Sequence, residues 1–260
     1  MRVAVVQAGV CPTGRTTTFQ AALAAIDAAA ANDPAPDLVL LPAFVDVLAV
    51  ISGRGAPLEA VQGQTAAGCG HRARIWGVFV AFGMAERGSG GPYLSSVLID
   101  RDGDVRLSQR QVCVSKTAGV AFKPGCAHRT VHILLGRIGL LAGDDLFDAR
   151  AWDAVVSDGA QVVLGSACWT RRSTDKKQKQ SIRDRIAEQS KRCGLWCAVA
   201  DVTTGSGEFD LCASGRSAVF DQTGRMVHVA QAHQATTLWA DIPVPGPSVA
   251  GENKEEKRSG

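Results

Sequence analysis

The chain has 260 residues, 46% of them hydrophobic and 20% charged, a balance typical of a globular domain and not of a disordered or fibrous chain. Lys and Arg number 28 against 25 Asp and Glu, and a net charge of +3 is too small to indicate binding to nucleic acid or to an anionic membrane. No apolar run approaches the roughly 18 residues that span a bilayer, and no signal-peptide pattern is present, so a cytoplasmic location is expected.

Neither the cysteines nor the histidines form a recognisable metal site. The eight cysteines are scattered without a C-x-x-C pair, and most are predicted to be buried thiols. His128 and His132 are four residues apart in a predicted strand, too far apart to bind one metal ion without further ligands. The glycine-rich segment 68–73 imitates a dinucleotide fingerprint, but it lies within a helical pattern instead of after a strand. Neither a metal ion nor another cofactor is therefore expected.

Buried strands and helices alternate in the first half of the chain. Apolar runs predict strands at 3–7, at 37–42 and from Trp76, and helical spacing predicts helices at 16–31 and 58–75. The Asp102-Gly103 turn signal then predicts a hairpin between a strand from Ser95 and a strand from Asp104. No helix is expected after this hairpin until about Leu135.

The second half repeats the alternation of strands and helices. Strands are predicted from Gly136, Gln161 and Trp196, with helices at 147–156 and about 177–192 between them. Two hairpin strands, 217–221 and 226–229, follow, and a last strand closes near Ile242.

Each half therefore supplies a sheet that needs cover on both faces. Packing sheet on sheet with helix pairs outside gives an α/β fold, a four-layer α-β-β-α sandwich, and a doubly wound single sheet is the alternative. We predict one domain at 1–242. Residues 243–260 contain three prolines and end in ENKEEKRSG, which predicts a flexible charged tail.

Four sequence blocks resemble one known family. They are VAVVQ, DLVLLP, GRIGLLAGDDLFDARAW, and the pair DRIAEQSKRCGLWCAVADVT and SGRSAVFDQTGRMV. Their order and spacing are similar to the nitrilase superfamily of carbon-nitrogen hydrolases, from Met1 to about Ile242. The resemblance implies the four-layer sandwich and, because such proteins commonly associate through helices beside the site, a homodimer.

The resemblance also implies where catalytic residues should lie. Members hydrolyse nitriles or amides with a cysteine nucleophile, a glutamate base and a lysine, which attack carbon, transfer the proton and stabilise the anionic intermediate. Here the glutamate position is Ala43, after Leu-Pro, and the lysine position is Lys116. Matching Asp145 to the family's motif puts Gly143 at the cysteine position, and a shift of one residue puts Ala142 there. Neither alignment restores a thiol.

Other residues are candidates for a changed pocket. Asp144 could pair with Asp145 as an acid and base, although Asp145 is better suited to a structural role at a helix start. Cys168 is the candidate for a relocated thiol, and Trp169 lies beside it at the predicted rim. Glu188 matches a family position, and we expect it to form structural hydrogen bonds near the site.

These residues favour a non-hydrolytic homologue that binds a small molecule or a protein partner, because groups that act as a unit lose catalysis when they are removed together. The alternative is a carbon-nitrogen hydrolase that acts through other residues or is seen in an inactivated form. We expect neither nucleic acid nor membrane as a partner.

Overall fold

The computed structural model describes residues 1–9, 15–43, 45, 58–114, 122–171, 178–203, 212–213 and 215–244. Side chains at 15–17, 170–171, 178–181 and 212 lie outside this description. The described strands form two six-stranded sheets and a two-stranded ribbon. None of the described helices is long and apolar enough to cross a bilayer.

The first sheet has the order β14-β1-β2-β3-β4-β5, with the first three sequential strands parallel. Its strands are β1 Arg2–Gln7, β2 Leu38–Leu40, β3 Phe79–Gly88, β4 Gly91–Ile99, β5 Val105–Arg110 and β14 Thr236–Asp241. The last strand pairs antiparallel with β1. The predicted final strand of the second half thus completes the first sheet.

The second sheet has the order β13-β12-β10-β8-β7-β6, with β7, β8 and β10 parallel. Its strands are β6 Thr130–Ile133, β7 Gly136–Ala142, β8 Val162–Ser166, β10 Trp196–Ala200, β12 Ala218–Phe220 and β13 Met226–Val229. The ribbon pairs β9 Thr170–Arg171 with β11 Cys212–Ala213.

Four helices cover the outer faces of the sheets. They are α1 Arg15–Ala30, α2 Gln64–Trp76, α3 Ala149–Ser157 and α4 Gln178–Cys193. One apolar cluster packs α1 and α2 against the first sheet, a second lies between the sheets, and a third packs α3 and α4 against the second sheet. Alternate residues of β1 illustrate the division, since Ala4 faces the helices and Val3 and Val5 face the other sheet. The four-layer α-β-β-α sandwich is confirmed.

The predicted helix at 58–75 begins later than its apolar spacing indicates. Glu59 is extended and pairs with Glu86, and its carboxylate accepts hydrogen bonds from the backbone N–H and hydroxyl of Thr65 at 2.9 and 3.1 Å. This carboxylate satisfies a donor in the first turn of α2 that has no partner within the helix. The segment before Gln64 is therefore a cap and not a helical turn.

Hydrogen bonds join the two sheets at the carboxyl ends of their parallel strands. The hydroxyl of Ser166 donates to the carbonyl of Leu41 at 3.1 Å, and the N–H of Ala43 donates to the carbonyl of Ala167 at 3.1 Å. A Cβ atom at Gly83 would lie 2.7 Å from the Cα of Ala43, so glycine permits this close approach. The ends of β2 and β8 are consequently held in direct contact.

The side chain of Gln7, at the end of β1, makes three further hydrogen bonds at this edge of the sheets. Its amide group donates to the carbonyls of Gln231 and Gln234 at 2.7 and 2.8 Å, and its carbonyl accepts the N–H of Ser217 at 3.0 Å. The side chain is fully buried. The Gln7 side chain therefore satisfies three backbone groups. Water could take over these hydrogen bonds only if the two sheets separated at this edge.

Replacing Gln7 with Leu tests this link. The variant leaves three backbone groups unpaired in the interior, and we expect it to lower the free energy of unfolding by about 3 kcal/mol or more, measured by chemical denaturation. Gln20→Leu, at an exposed position of α1, is the matched control and should change stability by less than about 0.5 kcal/mol. Equal losses in the two variants would contradict the assignment.

Candidate functional site

The candidate site lies where the parallel strands of both sheets end. Ligands of parallel α/β sheets commonly bind beyond the carboxyl ends of the strands. Here β2 leads to Ala43, β7 leads to Gly143, and β8 and β10 lead to Cys168 and Asp201. The hydrogen bonds between the sheets bring these ends to one edge. Lys116, the predicted lysine, lies outside the described residues.

Ala43 is completely buried in an apolar environment. It shares a small cluster with Ala85, Leu94, Ala142 and Val202, and its relative exposure is 0%. These side chains offer no hydrogen-bond donor or charge to a group at position 43. These apolar neighbours fit a methyl group at position 43, and Ser166, a polar residue that also lies close by, donates its hydroxyl to the carbonyl of Leu41.

A small cavity borders Ala43 on the side facing α1. Its volume is about 10 Å³, and Ala8, Thr18, Ala22 and Leu41 are among the residues that line it. This volume is at the lower limit for holding one water molecule. The cavity lies between the first sheet and its helix, so it is separate from the space between the two sheets.

Gly143 occupies a sharp turn from strand to helix. It follows β7, begins the 3-10 helix Gly143–Phe147, and has a φ of +53°. Residues with side chains rarely adopt this conformation, and strained turns of this kind display nucleophiles in some hydrolases. A Cβ atom here would lie 3.0 Å from Leu94 Cδ2 and 3.1 Å from Gln111 Nε2. Glycine relieves both the backbone strain and this crowding.

Asp145 anchors the turn to the end of β5. Its buried carboxylate accepts the N–H of Cys113 at Oδ1 at 2.7 Å and the N–H of Val112 at both oxygens at 3.2 and 3.1 Å, and the Nε2 of His128 lies 3.0 Å from Oδ2. These contacts occupy both oxygens, so Asp145 positions the backbone and does not face open space as a base. Asp144 is half-buried in the same first turn.

The thiol of Cys113 lies close to Asp145 and Asp148. Burial raises the pKa of Cys113 to about 12, and the hydrogen bond to Asp148 and the two carboxylate charges act in the same direction. Arg150 forms an ion pair with Asp148 at 2.9 Å and lowers the pKa of that carboxyl group. Cys113 therefore stays protonated at neutral pH and is a poor nucleophile.

Cys168, the predicted relocated thiol, follows the end of β8. Burial raises the pKa of the Cys168 thiol well above its usual value, and the negative charge of Asp201 raises it further. No cation acts on this thiol among the groups that shift its pKa. A reactive cysteine needs an electropositive setting that stabilises the thiolate, and the described surroundings of Cys168 have the opposite character.

Trp169 and Glu188 are associated with the helical layer of the second sheet. Trp169 packs in the cluster between the second sheet and its helices, with its ring centroid 6.2 Å from that of Phe147. Glu188 is exposed on α4, which turns its neighbours Ile186 and Gln189 inward. Helical periodicity directs the Glu188 side chain to solvent, and its structural hydrogen bonding near the site stays a prediction.

Asp201 is a buried acid that the sequence analysis did not select. One carboxylate oxygen accepts the N–H groups of Trp169 and Val202 at 3.1 and 3.0 Å, while the other oxygen has no hydrogen-bond partner within the described part of the chain. Burial raises the pKa of Asp201 to about 7, although Arg216 and Arg183 oppose the rise. An acid directly after a buried strand is the signal that could have identified it.

The comparisons with known proteins agree with this architecture. A family model described as Carbon-nitrogen hydrolase matches residues 2–246. The chain belongs to the carbon-nitrogen hydrolase family. No curated protein sequence matches the chain significantly.

Solved structures of the carbon-nitrogen hydrolase family share the fold. A carbon-nitrogen hydrolase from Helicobacter pylori G27 is 18% identical, with a TM-score of 0.82 over 92% of this chain and 88% of that chain. An amidase from Nesterenkonia sp. AN1 is 21% identical, with a TM-score of 0.81 over 94% and 93%. A mutant of that amidase, in which acrylamide has added to the active-site cysteine, is 21% identical with a TM-score of 0.80.

Asp201→Asn tests the buried acid through the pH dependence of stability. A folded-state pKa of about 7, above the ordinary 3.8, means that the folded protein binds the extra proton between these values, so stability is lost as pH rises towards and through 7. We expect the stability of Asp201→Asn relative to the native chain to increase by up to about 3 kcal/mol between pH 5 and pH 8.

Asp221→Asn is the matched control for this measurement. Hydrogen bonds from Thr223 lower the pKa of Asp221, so it stays charged throughout this range. Its stability relative to the native chain should therefore be constant between pH 5 and pH 8, as determined by denaturant titration at each pH. A flat difference for Asp201→Asn as well would show that Asp201 does not titrate in this window.

Proposed function

We propose that this carbon-nitrogen hydrolase family member does not hydrolyse amides or nitriles and instead binds a small molecule or a protein partner. One observation carries the proposal: Ala43 and Gly143, the positions that sequence resemblance assigns to the base and the nucleophile, supply no functional group. Ala43 packs in an apolar cluster, and Leu94 and Gln111 lie close to the place that a Cβ atom at residue 143 would take. The chemistry of the family requires an acid-base group and a nucleophile acting together.

Three neighbouring polar residues, Cys113, Cys168 and Asp145, are poor substitutes for the missing groups. The thiols of Cys113 and Cys168 have raised pKa values, which keep them protonated near neutral pH. Asp145 is occupied by backbone N–H groups and His128. These three residues therefore do not compensate for the functional groups that are missing at positions 43 and 143.

A binding role needs only the fold, the pocket edge and Lys116. In this proposal Lys116 provides a positive charge to a bound molecule, as an ammonium group does for carbonyl or acidic ligands. A homodimer and a cytoplasmic location complete the proposal. Both come from sequence resemblance and composition.

The backbone at Gly143 favours one alternative, a hydrolase seen in an inactivated form. The φ of +53° and the anchoring of Asp145 preserve a strand-to-helix turn of the kind that displays nucleophiles. In that case only side chains would need to be restored. Hydrolysis through other residues is the remaining alternative.

Turnover of small amides and nitriles tests the main proposal. We expect the purified chain to release ammonia from acetamide, propionamide or acetonitrile no faster than Lys116→Ala does, because no group attacks the carbon. Both proteins should be assayed after successive purification steps. A rate that co-purifies with the chain and falls in Lys116→Ala would establish an active enzyme and overturn the proposal.

The double variant Ala43→Glu with Gly143→Cys separates the proposal from the inactivated form. We expect no ammonia release, and a loss of unfolding free energy of about 2 to 4 kcal/mol, because a carboxyl group at 43 is buried among apolar side chains and a side chain at 143 meets Gln111 and Leu94. Gly143→Cys alone is the control. Ammonia release by the double variant, absent from the single variant, would favour the inactivated hydrolase.

A further inference from the structure

Gln111 is the polar side chain nearest to the empty position at Gly143. A Cβ atom at residue 143 would lie 3.1 Å from Gln111 Nε2 and 3.3 Å from its Cδ. The apolar wall on the other side is Leu94 Cδ2, at 3.0 Å. The carboxamide of Gln111 therefore takes up part of the space into which any side chain at 143 would extend.

This carboxamide is held in a defined place. Its Nε2 donates to the carbonyl of Cys113 at 3.0 Å, and only 5% of the residue is exposed. The backbone is fixed on both sides, since the N–H of Gln111 donates to Leu94 at 2.8 Å and its carbonyl accepts the N–H of Gly125 at 2.7 Å. A buried amide with these contacts is an ordered part of the site and not a mobile surface side chain.

Asp145 fixes the position of Gln111 relative to Gly143. It lies two residues after Gly143 in the same 3-10 helix, and its carboxylate binds the N–H groups of the two residues that follow Gln111. The turn that carries position 143 and the segment that carries Gln111 therefore move together. The proximity of Gln111 to Gly143 follows from these charge-assisted hydrogen bonds.

We propose that Gln111 is an internal plug that closes the site at Gly143 and limits what can enter beside it. This inference deepens the proposed function and rests on it, because it assigns Gln111 the control of access to the same site. The ends of two flexible side chains, Leu94 and Gln111, fill the space, and rotation of Gln111 opens its part at the cost of the hydrogen bond to Cys113. A small carboxamide could donate to the Cys113 carbonyl in place of Gln111, and a molecule without a hydrogen-bond donor could not.

A thiol at position 143 can report whether Gln111 closes the site. The experiment measures the rate at which iodoacetamide alkylates the new thiol in Gly143→Cys, resolved at residue 143 by peptide mass spectrometry so that the native cysteines do not interfere. The sulfur displaces iodide and forms a thioether, so no other reactant is needed. We expect the added substitution Gln111→Ala to increase this rate at least ten-fold.

Gln109→Ala in the same Gly143→Cys background is the matched control. Gln109 is also a buried glutamine of the same chain segment, but its amide donates to Arg110 and Ala127 and does not border Gly143. It should change the rate less than two-fold. An unchanged rate in Gln111→Ala, or an equal increase in Gln109→Ala, would overturn the plug.

A second measurement covers the case in which Gly143→Cys does not fold. Gly143→Ala adds only a Cβ atom, and we expect it to lower the denaturation midpoint less in the Gln111→Ala background than in the Gln109→Ala background. Equal losses would also overturn the plug. Neither readout depends on turnover, so failure of the plug is distinct from failure of the proposed function, which ammonia release by the native chain would show.

Discussion

The hydrogen bonds between the two sheets at their carboxyl edge are the constraint on which the site depends. Ser166, Gln7 and the N–H of Thr203 each cross from one sheet to the other, and all lie where water does not reach. An unpaired polar group in such a place is costly, so the edges can hold one relative position only. That position brings the ends of β2, β7, β8 and β10 together and defines what residues 43, 143, 168 and 201 can contact.

The layers could be predicted from the sequence because they follow from the periodicity of apolar residues. The parallel strands read as short apolar runs, as strands covered on both faces do, and the helices between them showed their own spacing. The pairing of β14 with β1 could not be predicted in this way, since it joins Arg2 to Asp241. Local pattern identifies a strand, but its partner depends on contacts across the whole chain.

For the site, the sequence predicted the positions of residues 43 and 143 but not the side chains around them. Sequence resemblance located Ala43 and Gly143, and the structure places both at the ends of strands on the same edge. The residues that contact this part of the chain were not predicted. Gln111 lies 32 positions before Gly143, and His128 contacts Asp145 from a loop. Trp169, predicted at the rim, packs in the cluster between the second sheet and its helices. Side-chain direction beyond a strand end depends on tertiary packing, which no spacing rule describes.

The described features at Ala43 and Gly143 are consistent with one another. An active site of this family would keep a carboxylate and a thiolate at a strained edge, and both need surrounding dipoles to offset burial. In this chain the residue that sequence resemblance assigns to the acid position is Ala43, a methyl group with apolar neighbours, and the residue in the left-handed turn is Gly143. Strain and buried charge are therefore both absent from these two positions. Asp201, the buried acid at the end of β10, lies close enough to Arg216 and Arg183 for both to oppose the rise in its pKa. Residues 43 and 143 therefore bring no charge to a ligand that binds between them, so among the described residues at these two positions only shape can discriminate, and hydrogen bonds and charge must come from neighbours such as Gln111 and Lys116.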